Sequence, residues 1–271
     1  MPLTSIADLQ TRGTDTTGLI LRARKISANY DEFITLGRKK QERLPGIHAS
    51  EVSKCKRKSV YSLLAYHQEE KLSKNWRQRF TMGHAIHNMI QTDFEEMAKA
   101  SGGLMTFERE VVIAPKLQPI ADKWFINSSA DGIFTEYDEP GGQPILRYGL
   151  EIKSEAPDGY EKLREPREDH LEQAHIYMRC LDLPMIWFFY MNKGNQNNTD
   201  SMGSFFVLWN QDIWDKLEAK FQVLHDYAGR AELPPREESM GCQFCGFAYT
   251  CNPPSLTRTS LPQPGRVWTG R

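Results

Sequence analysis

Asp131, Glu151 and Lys153 are the side chains of this sequence whose types and spacing best suit chemistry. They lie in the stretch SSADGIFTEYDEPGGQPILRYGLEIK, from Ser128 to Lys153, which reads as two extended apolar runs joined by a turn-rich DEPGGQP segment. Side chains alternate between the two faces of a strand, so Glu151 and Lys153 share one face while Ile152 points into a core. Two acids and a lysine then converge. Hard carboxylate oxygens suit magnesium or manganese, and a lysine beside them can steady a nucleophilic water or the charge developing on phosphorus. The chemistry implied is that of a divalent metal held against a phosphodiester. On its own the pattern is weak, because an Asp followed some distance on by Glu-x-Lys arises by chance in many chains.

The elements around it follow from periodicity. Strands are expected over Thr106 to Ile113, Trp124 to Glu136, Ile145 to Lys153, Met185 to Met191 and Ser204 to Trp209, with Gly141 and Gly142 closing a hairpin. Helices are expected from Ser50 through Tyr66, Ser73 to Lys99, Pro166 to Leu181 and Gln211 to Ala231, and an amphipathic stretch runs from Tyr30 to Arg43. On the second helix Trp76, Phe80, Gly83, His87, Ile90, Phe94 and Met97 form one stripe expected to be buried, with His87 pointing inward. A lone inward histidine is more often a hydrogen-bonded core residue than a ligand. Gly83 costs a helix about 1 kcal/mol relative to alanine, which suggests a close approach to the backbone there. One mixed sheet with helices on both sides is the simplest α/β assembly.

Composition sets outer limits. The chain has 271 residues, of which 39% are hydrophobic, enough for a substantial core. A formal charge of -1 excludes a polycationic nucleic-acid coat, so nucleic acid would have to meet a local basic patch. No apolar run of about 18 residues occurs, and the start lacks a secretory pattern. The expectation is a soluble cytoplasmic protein, in the host cytoplasm if viral, with no membrane partner. No Walker-A sequence is present, so any unwinding of DNA would come from a separate helicase or recombination protein. Of five cysteines, Cys242, Cys245 and Cys251 are grouped as C-x2-C-x5-C, Cys55 lies far upstream, and Cys180 has apolar neighbours and reads as a core residue. Four thiolates permit zinc or an iron-sulfur centre. Lys54, Lys56, Arg57 and Lys58 surround Cys55; such a cluster is ordinarily a solvated helix face.

Taken in order, Gly83-His84-Ala85-Ile86-His87, Asp131, Glu151-Ile152-Lys153 and Gln173-Ala174-His175-Ile176-Tyr177 resemble the RecB-like branch of the PD-(D/E)XK nucleases. The resemblance implies a restriction-endonuclease-like mixed sheet flanked by helices. It implies that His87, Asp131, Glu151 and the backbone carbonyl of Ile152 bind Mg2+ or Mn2+, that Lys153 acts on the water or the transition state, and that Gln173 and Tyr177 support the site and contact the strand. Ala130 stands where the family name expects proline, a position that supplies backbone geometry and no ligand. His84 and His170 match no family ligand.

The placement of Cys55 before these motifs and of Cys242, Cys245 and Cys251 after them resembles the iron-sulfur members, among them AddB-type subunits and CRISPR-associated RecB-like exonucleases. This implies a four-iron four-sulfur cluster, with zinc as the alternative, joining residues 50–66 to 240–251 and bringing Lys56 and Arg57 to DNA. The expected activity is a metal-dependent DNA exonuclease on single-stranded or unwound ends, 5′ to 3′ by the same resemblance, in recombination, repair or replication. A non-catalytic DNA-binding scaffold and a structure-specific endonuclease are the alternatives. The expected organisation is a polar segment over 1–28, one nuclease domain over 29–251 and a flexible tail over 252–271.

Overall fold

In a computed structural model, the structure describes residues 43–68, 74–194 and 202–252 and a few helical positions between 21 and 29. The chain divides into two compact units. One comprises Met1–Glu42 with Leu72–Met82, and the other Arg43–Lys71 with Gly83–Arg271. The tail beyond 252 and all of the 30–43 stretch except Arg43 fall outside the described residues, whereas Ala28 and Asn29, at the expected boundary, are helical and exposed.

Helix α1 spans Lys56–Leu63 and α2 spans Lys74–Ala100, its first nine residues belonging to the smaller unit. Then come β1 (Met105–Ile113), α3 (Pro119–Trp124), β2 (Ser128–Tyr137), β3 (Pro144–Glu155), α4 (Pro157–Glu161) and α5 (Glu168–Leu181). Strands β4 (Met185–Asn192) and β5 (Met202–Leu208), helix α6 (Gln211–Gly229), a 3-10 turn (Met240–Phe244) and the short α7 (Ala248–Cys251) complete the second unit.

The five strands form one sheet in the order β1-β2-β3-β4-β5. All neighbours are antiparallel except β3 and β4, which run parallel because α4 and α5 carry the chain back across the sheet. Both faces of the sheet are covered. Ile133, Ile186, Phe188 and Tyr190 pack with α1, α5 and α6 on one face, while Phe134, Leu150 and Ile152 meet Ile86, Ile90 and Phe94 of α2 on the other. Residues Tyr148 to Ile152 of β3 are buried without a break, as befits a central strand covered on both sides. Among the described residues no helix is long and apolar enough to cross a membrane.

Several elements depart from the sequence expectation. The helix foreseen from Ser50 begins only at Lys56, with Cys55 at its N-cap. Residues 49–54 form turns instead, because Ile47 bridges to Ile126 and the Ala49 amide donates to Ser128 Oγ at 2.8 Å. Trp124 ends α3 and does not open a strand; Phe125 is left-handed at φ 49, and β2 starts at Ser128. Pro166 precedes α5, whose N-cap is Arg167. On α2 the buried stripe is Ile86, Ile90, Phe94 and Ala98, a row in steps of four, whereas Phe80 and Met97 are exposed. A row in steps of four follows one inclined ridge of the helix, and the alternating three-and-four stripe drifts off it.

Candidate active site

The site is built where β2 and β3 part. Their ladder runs from Tyr137 opposite Pro144 to Gly132 opposite Leu150 and goes no further, while β2 continues along β1 and β3 along β4. Asp131 lies just past that last pair. Its Oδ2 accepts the Ile152 amide at 2.6 Å, and its Oδ1 lies 3.1 Å from His87 Nδ1. Next to Asp131, a Cβ on Gly132 would stand 2.2 Å from the Phe107 ring of β1, so only glycine fits there.

Glu151 and Lys153 share the face of β3 turned toward α5, as strand alternation requires. Lys153 Nζ donates to Glu151 Oε1 at 2.7 Å and to Gln173 Oε1 at 2.8 Å. The Gln173 amide nitrogen donates to Glu151 Oε1 at 2.8 Å and to the Tyr177 hydroxyl at 2.7 Å. Among the described residues Glu151 Oε2 is buried and has no hydrogen-bond partner. Burial, reinforced by the Asp131 carboxylate and opposed by Lys153 and His87, pushes the Glu151 carboxyl up to about 7. Burial works against protonation of His87, but its hydrogen bond to Asp131 and the charges of Asp131 and Glu151 outweigh that and raise it above the ordinary histidine value.

The structure therefore brings His87, Asp131, Glu151, Ile152, Lys153, Gln173 and Tyr177 into one neighbourhood. Tyr177 and Gln173 are buried, so they brace the site from the core and have no surface to offer a strand. Ile152 meets Asp131 through its amide. His84 is exposed, and His170 is buried, its Nδ1 2.6 Å from the Tyr190 hydroxyl. Among the described residues an added Cβ at Gly83 would find only Ser154 Oγ, at 3.9 Å, so none of them makes the expected close approach.

Two contributors escaped the sequence reading. Gln91, buried on α2 one turn beyond His87, donates to both the Asp131 carbonyl and Glu110 Oε1 at 2.8 Å. Glu110 lies across from Asp131 where the β1–β2 register skips a pair, and its backbone is left-handed at φ 53. The spacing of Gln91 from His87, one helical turn, was a usable signal; nothing in FEREVVI marks Glu110.

Among the described residues no group of three or more His, Cys, Asp or Glu side chains stands as a ready-made metal cage. The donor types nonetheless fit a hard divalent cation: two carboxylates lie side by side, and one buried oxygen lacks any partner.

The cysteine region is assembled from both ends of the larger unit. Arg57 of α1 reaches the Pro234 carbonyl at 2.8 Å and Cys251 Sγ at 3.4 Å, and Tyr61 stacks on Phe247 with ring centroids 5.1 Å apart. Burial raises the Cys245 thiol, with Cys55 and Cys242 close enough to add to the shift. Four half-buried soft thiols with no carboxylate among them suit zinc or an iron-sulfur centre in donor type, although the sulfurs are not drawn into a common coordination sphere. Lys56 pairs with Glu237 at 3.6 Å, so Lys56 and Arg57 are turned to the cysteine loop and not to the acidic site. Cys180 is buried in the core, its thiol pushed up to about 12.

No protein-family model and no curated protein matches this chain. Among solved structures, that of SSO0001 is 16% identical with a TM-score of 0.45, covering 87% of this chain and 98% of its own. An alkaline exonuclease from Laribacter hongkongensis, LHK-Exo, is 13% identical with a TM-score of 0.40, covering 70% of this chain and 90% of its own. The same exonuclease in complex with dAMP gives 12% identity, a TM-score of 0.38, and coverage of 69% and 90%.

Proposed function

We propose that this protein is a metal-dependent nuclease that hydrolyses DNA phosphodiester bonds, as an exonuclease on single-stranded or unwound ends. The observation that carries the reading is the buried, unpartnered Glu151 Oε2 beside Asp131, at the point where β2 and β3 diverge. Two adjacent carboxylates in a low-dielectric site repel one another, and a hard cation removes both the repulsion and the missing contact. Asp131 and Glu151 would hold Mg2+ or Mn2+, with His87 and the Ile152 carbonyl as further donors. Such a cation supplies charge neutralisation at the phosphate and a more acidic water.

The chain's own residues do the rest. Gln173 fixes Glu151 and Lys153 relative to each other through one hydrogen bond to each, and a third, to Tyr177, anchors its amide. Lys153 keeps its ammonium at the mouth of the acidic pair, where it can stabilise charge developing on a phosphoryl oxygen. Asp131 is oriented by Ile152 and His87 before any substrate arrives, so little reorganisation remains. The four cysteines Cys55, Cys242, Cys245 and Cys251 are read as ligands of a four-iron four-sulfur cluster that staples α1 to the C-terminal turns. The contacts of Arg57 with Cys251 and of Tyr61 with Phe247 support that pairing of segments.

End-labelled linear and circular single-stranded DNA, each with Mg2+, Mn2+ or EDTA, tests the activity. Linear DNA should shorten from an end, circular DNA should persist, and EDTA should stop the reaction. Cleaved circles would make the enzyme an endonuclease, and binding without cleavage under every condition would make it a scaffold.

A further inference from the structure

Asp131 is skipped by both of the ladders that flank it. Gly132 pairs with Arg109 and Ala130 with Val111, but Asp131 and Glu110 between them do not pair, and on the other side the β2–β3 ladder stops at Gly132. A residue released in this way must find hydrogen bonds elsewhere. The Asp131 carboxylate takes the Ile152 amide of β3, and the Asp131 carbonyl takes Gln91 Nε2 of α2 at 2.8 Å. An amide nitrogen carries two hydrogens, and the second goes to Glu110 Oε1, also at 2.8 Å. Gln91 is only 1% exposed, so water cannot stand in for either partner.

His87 lies one turn before Gln91 on α2, and residues four apart share a helix face. The helix therefore meets Asp131 twice. Gln91 holds its carbonyl, and His87 Nδ1 stands 3.1 Å from its Oδ1. Ile90 and Phe94 of the same helix are buried with Phe134, Leu150 and Ile152, which keeps α2 itself in place. Glu110 completes the arrangement: its backbone is left-handed at φ 53, far from strand geometry, and Ser129 Oγ lies 3.5 Å from its second carboxylate oxygen.

Resting on the nuclease reading, we infer that Gln91 is a positioning residue of the metal site, holding the Asp131 backbone to α2 so that the Asp131 carboxylate and the His87 imidazole turn toward one cation. Glu110 in turn holds Gln91. Gln91 touches neither metal nor substrate; it keeps two ligands from different elements in one geometry before the cation arrives. Without it Asp131 is free to rejoin Glu110 in the ladder and carry its carboxylate away from His87. Partners that orient metal ligands in this way are worth about 10- to 100-fold in metal affinity.

The test follows Mn2+ binding to the full chain, with no DNA present, by the EPR signal of the free ion. The parent should bind and Asp131→Ala should not. Gln91→Met, close to glutamine in length but with no amide to donate, should weaken binding about 10- to 100-fold. Glu110→Ala should weaken it in the same direction, and Glu110→Gln, which leaves an acceptor oxygen for Gln91, should recover most of that loss. Glu110 is exposed, so this second pair decides the matter even if Gln91→Met does not fold. Melting temperatures are read in parallel. If Gln91→Met melts lower than the parent yet binds Mn2+ as tightly, or Glu110→Gln loses as much as Glu110→Ala, Gln91 braces the fold and not the metal site, and the nuclease reading stands. A parent that binds no Mn2+ and cleaves no DNA ends both.

Discussion

Asp131 and Ile152 are joined by a hydrogen bond of 2.6 Å from the Ile152 amide to Asp131 Oδ2, at the place where the β2–β3 ladder gives out. A side chain takes over from the backbone there, so the same carboxylate that closes the sheet faces His87 with its other oxygen. Asp131→Ala should abolish cleavage, by at least about a thousandfold, in an end-labelled assay. It also leaves a backbone amide without its acceptor, so denaturant melts should show a loss of about 1 to 3 kcal/mol. Retained cleavage by a folded variant would remove Asp131 from the reaction.

Gln173 makes three hydrogen bonds to functional side chains from one buried amide. Its effect should fall on turnover and not on affinity, because it fixes Glu151 and Lys153 and does not reach the surface. Gln173→Ala should lower kcat by about 10- to 100-fold with oligonucleotide affinity nearly unchanged. Tyr177→Phe, which removes only the anchor of that amide, should cost less. Equal losses in affinity and turnover would argue that Gln173 meets the strand directly.

The strands were legible because their apolar runs are bounded by glycine, proline and polar turns, and strand alternation sufficed to put Glu151 and Lys153 on one face. Less was visible where tertiary contacts decide. Residues 49–54 have the makings of a helix start, but their hydrogen bonds to Ser128 and Asp169 hold them in turns. Tyr177 and Gln173 do share a helix face, yet the sequence gives no sign that this face is buried. Glu110 was invisible, since its importance lies in its backbone conformation and its bond to Gln91.

That conformation has a measurable cost. A residue other than glycine in the left-handed region is strained by roughly 1 to 3 kcal/mol, held by the surrounding structure. Glu110→Ala and Glu110→Gly both lose the bond to Gln91, but only glycine relieves the backbone. The glycine variant should be the more stable of the two by about 1 kcal/mol, the reverse of the usual order in a strand. Thermal or denaturant melts of the pair decide it. An alanine variant that is the more stable would show that the position is relaxed.

The cysteine reading makes a separate demand on the purified protein. Prepared without oxygen, it should be brown, with iron and acid-labile sulfide in equal amounts, and Cys242→Ser or Cys251→Ser should bleach it. Phe247→Ala, which empties the site stacked on Tyr61, should destabilise the chain by about 3 to 5 kcal/mol and loosen the cluster. A colourless protein carrying stoichiometric zinc would replace the cluster with a zinc centre.

His170 gives the fold a pH dependence of definite sign. Burial, with Lys153, Arg167 and Lys54 adding to it and Asp169 opposing, lowers the imidazole to about 4 from an ordinary value of 6.5. Between those values the unfolded chain binds a proton that the folded chain refuses, so stability falls as pH drops from 6.5 to 4 and then levels off. His48, His175 and His225 are lowered as well and act in the same direction, whereas His87 is raised and acts against them. The His170 share is on the order of 3 kcal/mol at most. Denaturant midpoints measured between pH 4 and 7 should slope for the parent and slope less in His170→Gln, which cannot take up that proton in either state, the remainder belonging to His48, His175 and His225. An unaltered slope in the variant would mean that the buried imidazole is protonated with little penalty, and that the cations around it are farther away or better neutralised than their positions imply.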